Sequence, residues 1–242
     1  MYDVTALPSQ KRQWILRNSN IPSRFMGLEP QDIEKKTGGF PQEITDWIAD
    51  VIDQQVIKKI GGLGTTGVGL LFDGAPGLGK TTHAVTTVME IIRHLPEDKD
   101  EIAGILGYAP SVFNTDGYSL RPIYYMTFPE FLSRKKALID ADPESRQEMF
   151  QEMEGFHGRA KDDFLNVRIL VLDDLGKEYG SKYDDTSFDE VLRSRYDRGL
   201  PTIITTNVPR DNWAKQYGEA MGSFAFEAFH RVAILGKDLR KG

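Results

Sequence analysis

The chain has 242 residues, 40% of them hydrophobic, with no cysteine and a formal net charge of −6. That length and composition suit one large α/β domain or a domain with a short arm, and the missing thiols exclude disulfides, zinc ribbons and thiol catalysis. The acidic balance argues against bulk electrostatic binding of duplex DNA, and without a membrane-length apolar stretch or an apolar signal core the expectation is a cytoplasmic protein with no membrane partner.

Residues 1–20 read as a short N-terminal arm and residues 21–242 as the main domain. In the arm, Lys11, Arg12, Trp14, Ile15, Leu16 and Arg17 mix basic and apolar character and suit a helical turn or two. The segment is either a loose terminus or a partner-binding peptide. Pro41 and Gln42 open a helix on which Ile44, Trp47, Ile48, Val51, Ile52, Ile57 and Ile60 form one apolar stripe, stopped by Gly61 and Gly62.

Gly67 to Asp73 is an apolar run of strand length, and Thr81 to His94 is helix-compatible, free of Gly and Pro. Between them stand Gly74, Ala75, Pro76, Gly77, Leu78, Gly79, Lys80 and Thr81, the pattern G-x-x-x-x-G-K-[ST], followed by Thr82. Glycines in such a loop let backbone N–H groups turn inward on phosphate oxygens. Lys80 can reach the β- and γ-phosphates, and the Thr81 hydroxyl can ligate Mg²⁺. The helix dipole adds to the orphan N–H donors at that end. The cofactors expected are therefore ATP and Mg²⁺.

Residues 95–121, rich in Gly, Pro, Asn and Asp, read as loop. Ile123 to Phe128 is a strand, and Pro129 starts a helix through Ile139 that carries Arg134, Lys135 and Lys136. This basic run is either a solvated helix face or, with nearby aromatics, a lining for single-stranded DNA. Ser145 to Phe164 reads as a more polar helix. Ile169 to Leu172 is a doubly buried strand ending in Asp173 and Asp174. Thr186 to Asp197 is helical with Phe188, Val191 and Leu192 inward, Pro201 to Asn207 is a strand, Trp213 to Met221 a helix and Val232 to Leu235 a last strand. Strands alternating with helices predict a parallel sheet with flanking helices and right-handed crossovers.

Asp173, at a strand end about 100 residues after the phosphate loop, is placed to hold Mg²⁺. Asp174 points to the other side of the strand by simple alternation and is the candidate to orient and deprotonate a water. Asn207 either holds that water or the γ-phosphate at the sheet edge, or merely caps the turn into Val208 and Pro209.

Together these residues resemble the AAA+ P-loop ATPases of the bacterial and phage DnaC/DnaI helicase-loader group, with the IstB transposition ATPases close behind. Ile21, Pro22, Arg24 and Phe25 resemble the group's I-P-x-R-F opening, Leu172 to Gly176 its Walker B segment, Arg195, Tyr196 and Pro201 to Asn207 its sensor-1 segment, and Gly236, Asp238 and Arg240 its closing G-x-D-x-R. The resemblance implies nucleotide contacts from Gly74 to Thr82 and Arg240, metal contacts from Thr81 and Asp173, Asp174 as base and Asn207 as sensor 1. It implies single-stranded DNA contacts from Ser181 and Tyr183, a replicative helicase (or a transposase) as partner, and ATP-dependent homo-oligomers. Only about 20 residues precede Ile21, where loaders carry a helicase-binding domain. Phe224 stands where the family places an arginine acting on a neighbour's ATP, which leaves Arg231 and Arg210 as trans-acting candidates. A nucleoside kinase would need an arginine-rich lid, and residues 95–121 hold only Arg121. A nucleotide-gated binding module with little turnover is the remaining alternative.

Overall fold

The computed structural model describes residues 1–37, 39–57, 66–108, 120–147, 149, 167–176, 182–236 and 238. Five parallel strands form one sheet: β1 (Gly69–Asp73), β2 (Ile123–Thr127), β3 (Ile169–Leu175), β4 (Thr202–Thr206) and β5 (Phe229–Ala233), in the order β2-β3-β4-β1-β5. The helices are α1 (Ser9–Gln13), continued as a π-turn from Trp14 to Asn18, then α2 (Pro30–Thr37), α3 (Gln42–Ile52), α4 (Lys80–His94), α5 (Lys99–Leu106), α6 (Phe128–Asp140), α7 (Lys182–Asp197), α8 (Trp213–Tyr217) and α9 (Glu219–Ala228).

Strand periodicity divides the core in two. Leu70, Phe72, Ile169, Val171 and Ile203 enter one apolar cluster, while Leu71, Leu170, Leu172 and Ile204 enter the other. Alternate side chains of a strand leave opposite faces, so a sheet apolar on every position must be covered twice. The first face takes α3, α4, α5 and the N-terminal segment; the second takes α6, α7, α8 and α9. Since β4 lies between β1 and β3, the ends of the phosphate-loop strand, the Asn207 strand and the Asp173 strand are neighbours.

Several boundaries differ from the sequence expectations. Residues 95–121 are not all loop: α5 forms there, because the Asp98 side chain accepts from the backbone N–H of Asp100 and Glu101 and Gly107 closes the helix at φ +66°. The helix after Pro41 ends at Ile52, where Gln54 takes φ +63°, rather than running to Ile60. The helix expected over Trp213 to Met221 is two helices, parted at Gly218 with φ +92° and ψ 156°. The last strand begins at Phe229, earlier than Val232. Of the stretch from Ser145 to Phe164, residues 145–147 are helical and most of the rest lies outside the described residues.

The first 20 residues lie on the domain instead of standing off it. Val4, Trp14 and Ile15 belong to the first cluster, Trp14 at 1% exposure, so its ring is not presented to a partner. Ser19 O accepts from Tyr125 N (2.7 Å) and the Asn20 amide donates to Tyr125 O (3.0 Å), satisfying the outer edge of β2. The buried Lys11 ammonium donates to the carbonyls of Arg93 and Leu95, placing a cation on the C-terminal end of the phosphate-loop helix. Arg195, fully buried, donates to Thr202 Oγ1 and to the carbonyls of Val167, Arg168 and Pro201, tying α7 to the strands beneath it. Among the described residues no helix is long and apolar enough to cross a membrane.

Because Trp14 is packed into the main core, Trp14→Ala should cost about 3–5 kcal/mol in urea unfolding. A loss below about 1 kcal/mol would show that the N-terminal segment is peripheral to the cooperative unit.

Candidate active site

The phosphate loop joins β1 to α4. Gly74 takes φ +152°, and a Cβ there would stand 2.4 Å from Ile234 O; Gly77 takes φ +83° with Asp238 against it, its Oδ1 1.9 Å from where a Cβ would lie. Side chains at these positions would collide or be strained, so glycine is required by space as well as by torsion. Leu78 is buried as an anchor, and Ala75 and Pro76 are exposed. Lys80, 8% exposed, donates to Gly74 O (2.9 Å), Ala75 O (2.8 Å) and Asn207 Oδ1 (2.7 Å). Asn207 thus reaches the loop lysine from β4, beyond what capping its own turn would require.

Asp173 is 6% exposed and accepts from three hydroxyls. Thr81 Oγ1 lies 2.8 Å from its Oδ1 and 3.1 Å from its Oδ2; Thr205 Oγ1 lies 2.5 Å from Oδ1 and Tyr125 OH 2.7 Å from Oδ2. Burial, together with the carboxylate, pushes the Tyr125 phenol far above its ordinary pKa, so it stays a donor. The Thr81 hydroxyl and the Asp173 carboxylate are adjacent hard oxygen donors. They fit Mg²⁺, which takes one or two protein oxygens and fills the rest of its octahedron with phosphate oxygens and water. Among the described residues no cluster of three or more His, Cys, Asp or Glu side chains could hold a metal by itself.

Asp174 departs from the expected alternation. It has φ +68°, and the pairing of β3 with β4 slips between Leu172 and Leu175. Its N–H donates to Thr205 Oγ1 (2.9 Å), and it forms part of the wall of a cavity of about 320 Å³ shared with Gly79, Lys80, Thr81, Thr82 and Asn207. A non-glycine residue in the left-handed region costs about 1–3 kcal/mol and is held only where its surroundings over-determine it. Here the kink breaks the alternation of the strand and leaves Asp174 in the wall of the cavity beside the phosphate loop.

The remaining expected residues are distributed otherwise. Arg231 Nε donates to Asp73 Oδ2 (2.8 Å) and its Nη1 to Asp211 Oδ2 (3.0 Å). Arg210 donates its backbone N–H to the same Asp73 oxygen (2.8 Å), and its guanidinium stands 4.1 Å from the Phe226 ring centre. Arg231 is thus engaged through its guanidinium, whereas Asp73 holds Arg210 only by its backbone N–H. Phe224, 5% exposed, packs edge-on against Tyr196 and Phe229, so its position faces the core and not a neighbour's ATP. Arg134 and Lys135, both half-buried, pair with Glu130 (3.3 Å) and Glu190 (4.0 Å), and Lys136 beside them on α6 is exposed. Tyr183 is the second residue of α7, and Ser181 and Arg240 lie outside the described residues.

Sequence reasoning gave no chemical role to Tyr125, Thr205, Asp73, Arg24 or Phe25, although Arg24 and Phe25 carried the resemblance and line the cavity. Thr205 had a signal, since a threonine two residues before Asn207 shares its face of β4. His83 was also missed. It is 2% exposed, its Nδ1 lies 2.9 Å from Gly79 O, and the Phe40 ring stacks on it at 6.1 Å. Burial lowers its pKa, against backbone hydrogen bonds to Gly79 and Gly39 that act to raise it.

No family model and no curated protein sequence match the chain. Among solved structures, that of DnaI superposes with a TM-score of 0.59 at 16% identity, over 95% of this chain and 100% of that one. The DnaC helicase loader superposes with a TM-score of 0.53 at 20% identity, over 88% of this chain and 100% of that one. At such identities the likeness is one of fold, and the fold is that of the AAA+ P-loop NTPases: a five-stranded parallel sheet with flanking helices.

A histidine whose folded pKa lies below its unfolded value of 6.5 contributes no penalty above that pH, and destabilises as pH falls below it, where only the unfolded chain takes the proton. The unfolding midpoint should therefore drop between pH 7 and pH 5, and drop less in His83→Gln. Equal pH slopes for the two proteins would show that His83 does not couple to folding.

Proposed function

We propose that this protein is an ATPase of DNA replication that loads or remodels a replicative helicase on single-stranded DNA, working as a nucleotide-dependent homo-oligomer. The observation that carries the reading is the convergence of Lys80, Thr81, Asp173, Asp174 and Asn207 at one carboxyl edge of the sheet. The fold shared with the DnaC helicase loader supports the choice of a loader among P-loop ATPases.

In this reading the backbone of Gly74 to Lys80 cradles phosphates at the positive end of α4, with Thr82 in the cavity wall. Lys80 exchanges the carbonyls it now holds for phosphate oxygens, and Asn207 keeps it aimed. Thr81 and Asp173 would hold Mg²⁺, which when bound neutralises charge developing on the transferring phosphoryl group. Asp174 accepts a proton from the attacking water. Its kinked backbone leaves it in the wall of the same cavity.

A second reading, a nucleotide-gated switch with slow turnover, draws support from the Arg231 guanidinium being engaged by Asp73 and Asp211. An arginine acting from a neighbour is worth about 10³ to 10⁵ in rate, and Arg231 is not presented for that role. ATPase measurement with and without single-stranded DNA separates the two. DNA-stimulated turnover favours the loader, and tight binding with negligible turnover favours the switch.

Lys80→Ala should abolish the rise in unfolding temperature produced by ATP with Mg²⁺, because it removes the charge facing the β- and γ-phosphates. An unchanged rise would overturn the nucleotide assignment. Asp174→Asn should keep that rise and lose turnover by about 10² to 10⁴, since an amide cannot take the proton of the water. Parent-like hydrolysis by Asp174→Asn would move the base to another residue.

A further inference from the structure

The cavity at the carboxyl edge of the sheet has one wall that the phosphate loop does not build. It comes from the 3-10 turn Ser23–Phe25, and two of its residues, Arg24 and Phe25, line the space with Thr81, Asp174 and Asn207. The turn is fixed from both sides. Before it, Ser19 and Asn20 bond to the backbone of Tyr125 on the sheet edge, Asn20 with φ +57°, and Ile21 is buried. After it, Gly27 O accepts from Tyr2 N (2.8 Å).

Arg24 is held in an unusual way for a surface arginine. Its guanidinium carbon stands 4.7 Å from the centre of the Phe25 ring, and among the described residues it forms no ion pair. Stacking on an aromatic face fixes the plane of the guanidinium and leaves its N–H edges open to an acceptor. Among the described residues lining the cavity the other cation is Lys80, by contrast already committed to three oxygens. A triphosphate carries more charge than one lysine neutralises, and a planar fork of donors matches phosphate oxygens in pairs.

We propose that Arg24 is a phosphate ligand supplied in cis, whose guanidinium binds the terminal phosphate of a nucleoside triphosphate in this cavity and so distinguishes ATP from ADP. The assignment rests on the reading of the cavity as an ATP site. It would also supply, within one subunit, part of the positive charge that the engaged Arg231 does not offer.

Binding of fluorescent ATP and ADP analogues with Mg²⁺, measured on the parent, Arg24→Ala, Arg24→Lys and Lys80→Ala, tests this without any need for turnover. Arg24 is exposed, so Arg24→Ala should unfold at the parent's temperature. Arg24→Ala should weaken ATP about ten- to a hundredfold, the factor that corresponds to one charge-assisted hydrogen bond, and leave ADP within about twofold. Arg24→Lys should fall between, since it keeps the charge and loses the fork. Parent-like ATP binding by Arg24→Ala overturns the assignment, as does an equal loss of ATP and ADP. A parent that binds neither nucleotide, indistinguishable from Lys80→Ala, overturns the ATPase reading and this assignment together. A parent that binds both while Arg24→Ala is unaltered overturns this assignment alone.

Discussion

A carboxylate at 6% exposure cannot remain ionised inside a protein unless something replaces its water, and Asp173 is where this fold meets that demand. Three hydroxyls replace it, from Thr81 on α4, Tyr125 on β2 and Thr205 on β4, while Asp173 itself stands on β3. One side chain therefore registers four elements against one another. Each hydroxyl is worth only about 1–3 kcal/mol, but leaving the carboxylate short of a partner costs the desolvation of a charge. The arrangement that stabilises the carboxylate also places Thr81 beside it, so the demand of burial and the geometry of a metal site coincide.

The phosphate loop is held from its other end by a second buried carboxylate. Asp73, 2% exposed, is the last residue of β1 and immediately precedes Gly74. It accepts from Arg231 on the edge strand and from the backbone of Arg210, and its own carbonyl accepts from Ile234 N (2.8 Å). Of the two arginines that sequence comparison offers to a neighbouring subunit, Arg231 fixes the start of the loop with its guanidinium and Arg210 with its backbone N–H. The rigid frame built in this way can tolerate local strain at Asp174, whose positive φ and broken strand register leave it in the wall of the cavity.

The N-terminal segment shows why sequence pattern understated the domain. Its basic and aromatic mix reads as an exposed arm, yet Trp14 and Ile15 complete the core under α4, and Lys11 closes the end of that helix. Nothing local distinguishes a tryptophan that waits for a partner from one that already has it; Trp14 joins a cluster built from strands and helices far along the chain, and Lys11 bonds to a carbonyl 82 positions away. The same holds for α5. Its Gly and Asp residues read as loop signals, and in the fold they are the caps of a short helix. Phe224 reads as a lost catalytic position and is a core aromatic, because α9 turns that face toward Tyr196 and Phe229.

The sequence by itself determined the phosphate loop, the strand–loop–helix around it, the acidic pair at a strand end and the alternation that gives a parallel sheet. These depend on short-range chemistry: glycines where φ is positive, apolar runs of strand length, and a period that changes from strand to helix. Only the tertiary structure decided that β4 lies between β1 and β3, which brings Asn207 within 2.7 Å of Lys80, and that Asp174 stands in the wall of the cavity. It also decided that Arg24 and Phe25, far from the phosphate loop in the chain, line the same cavity. Strand order and the satisfaction of buried charge are properties of the whole packed sheet, and no window of sequence contains them.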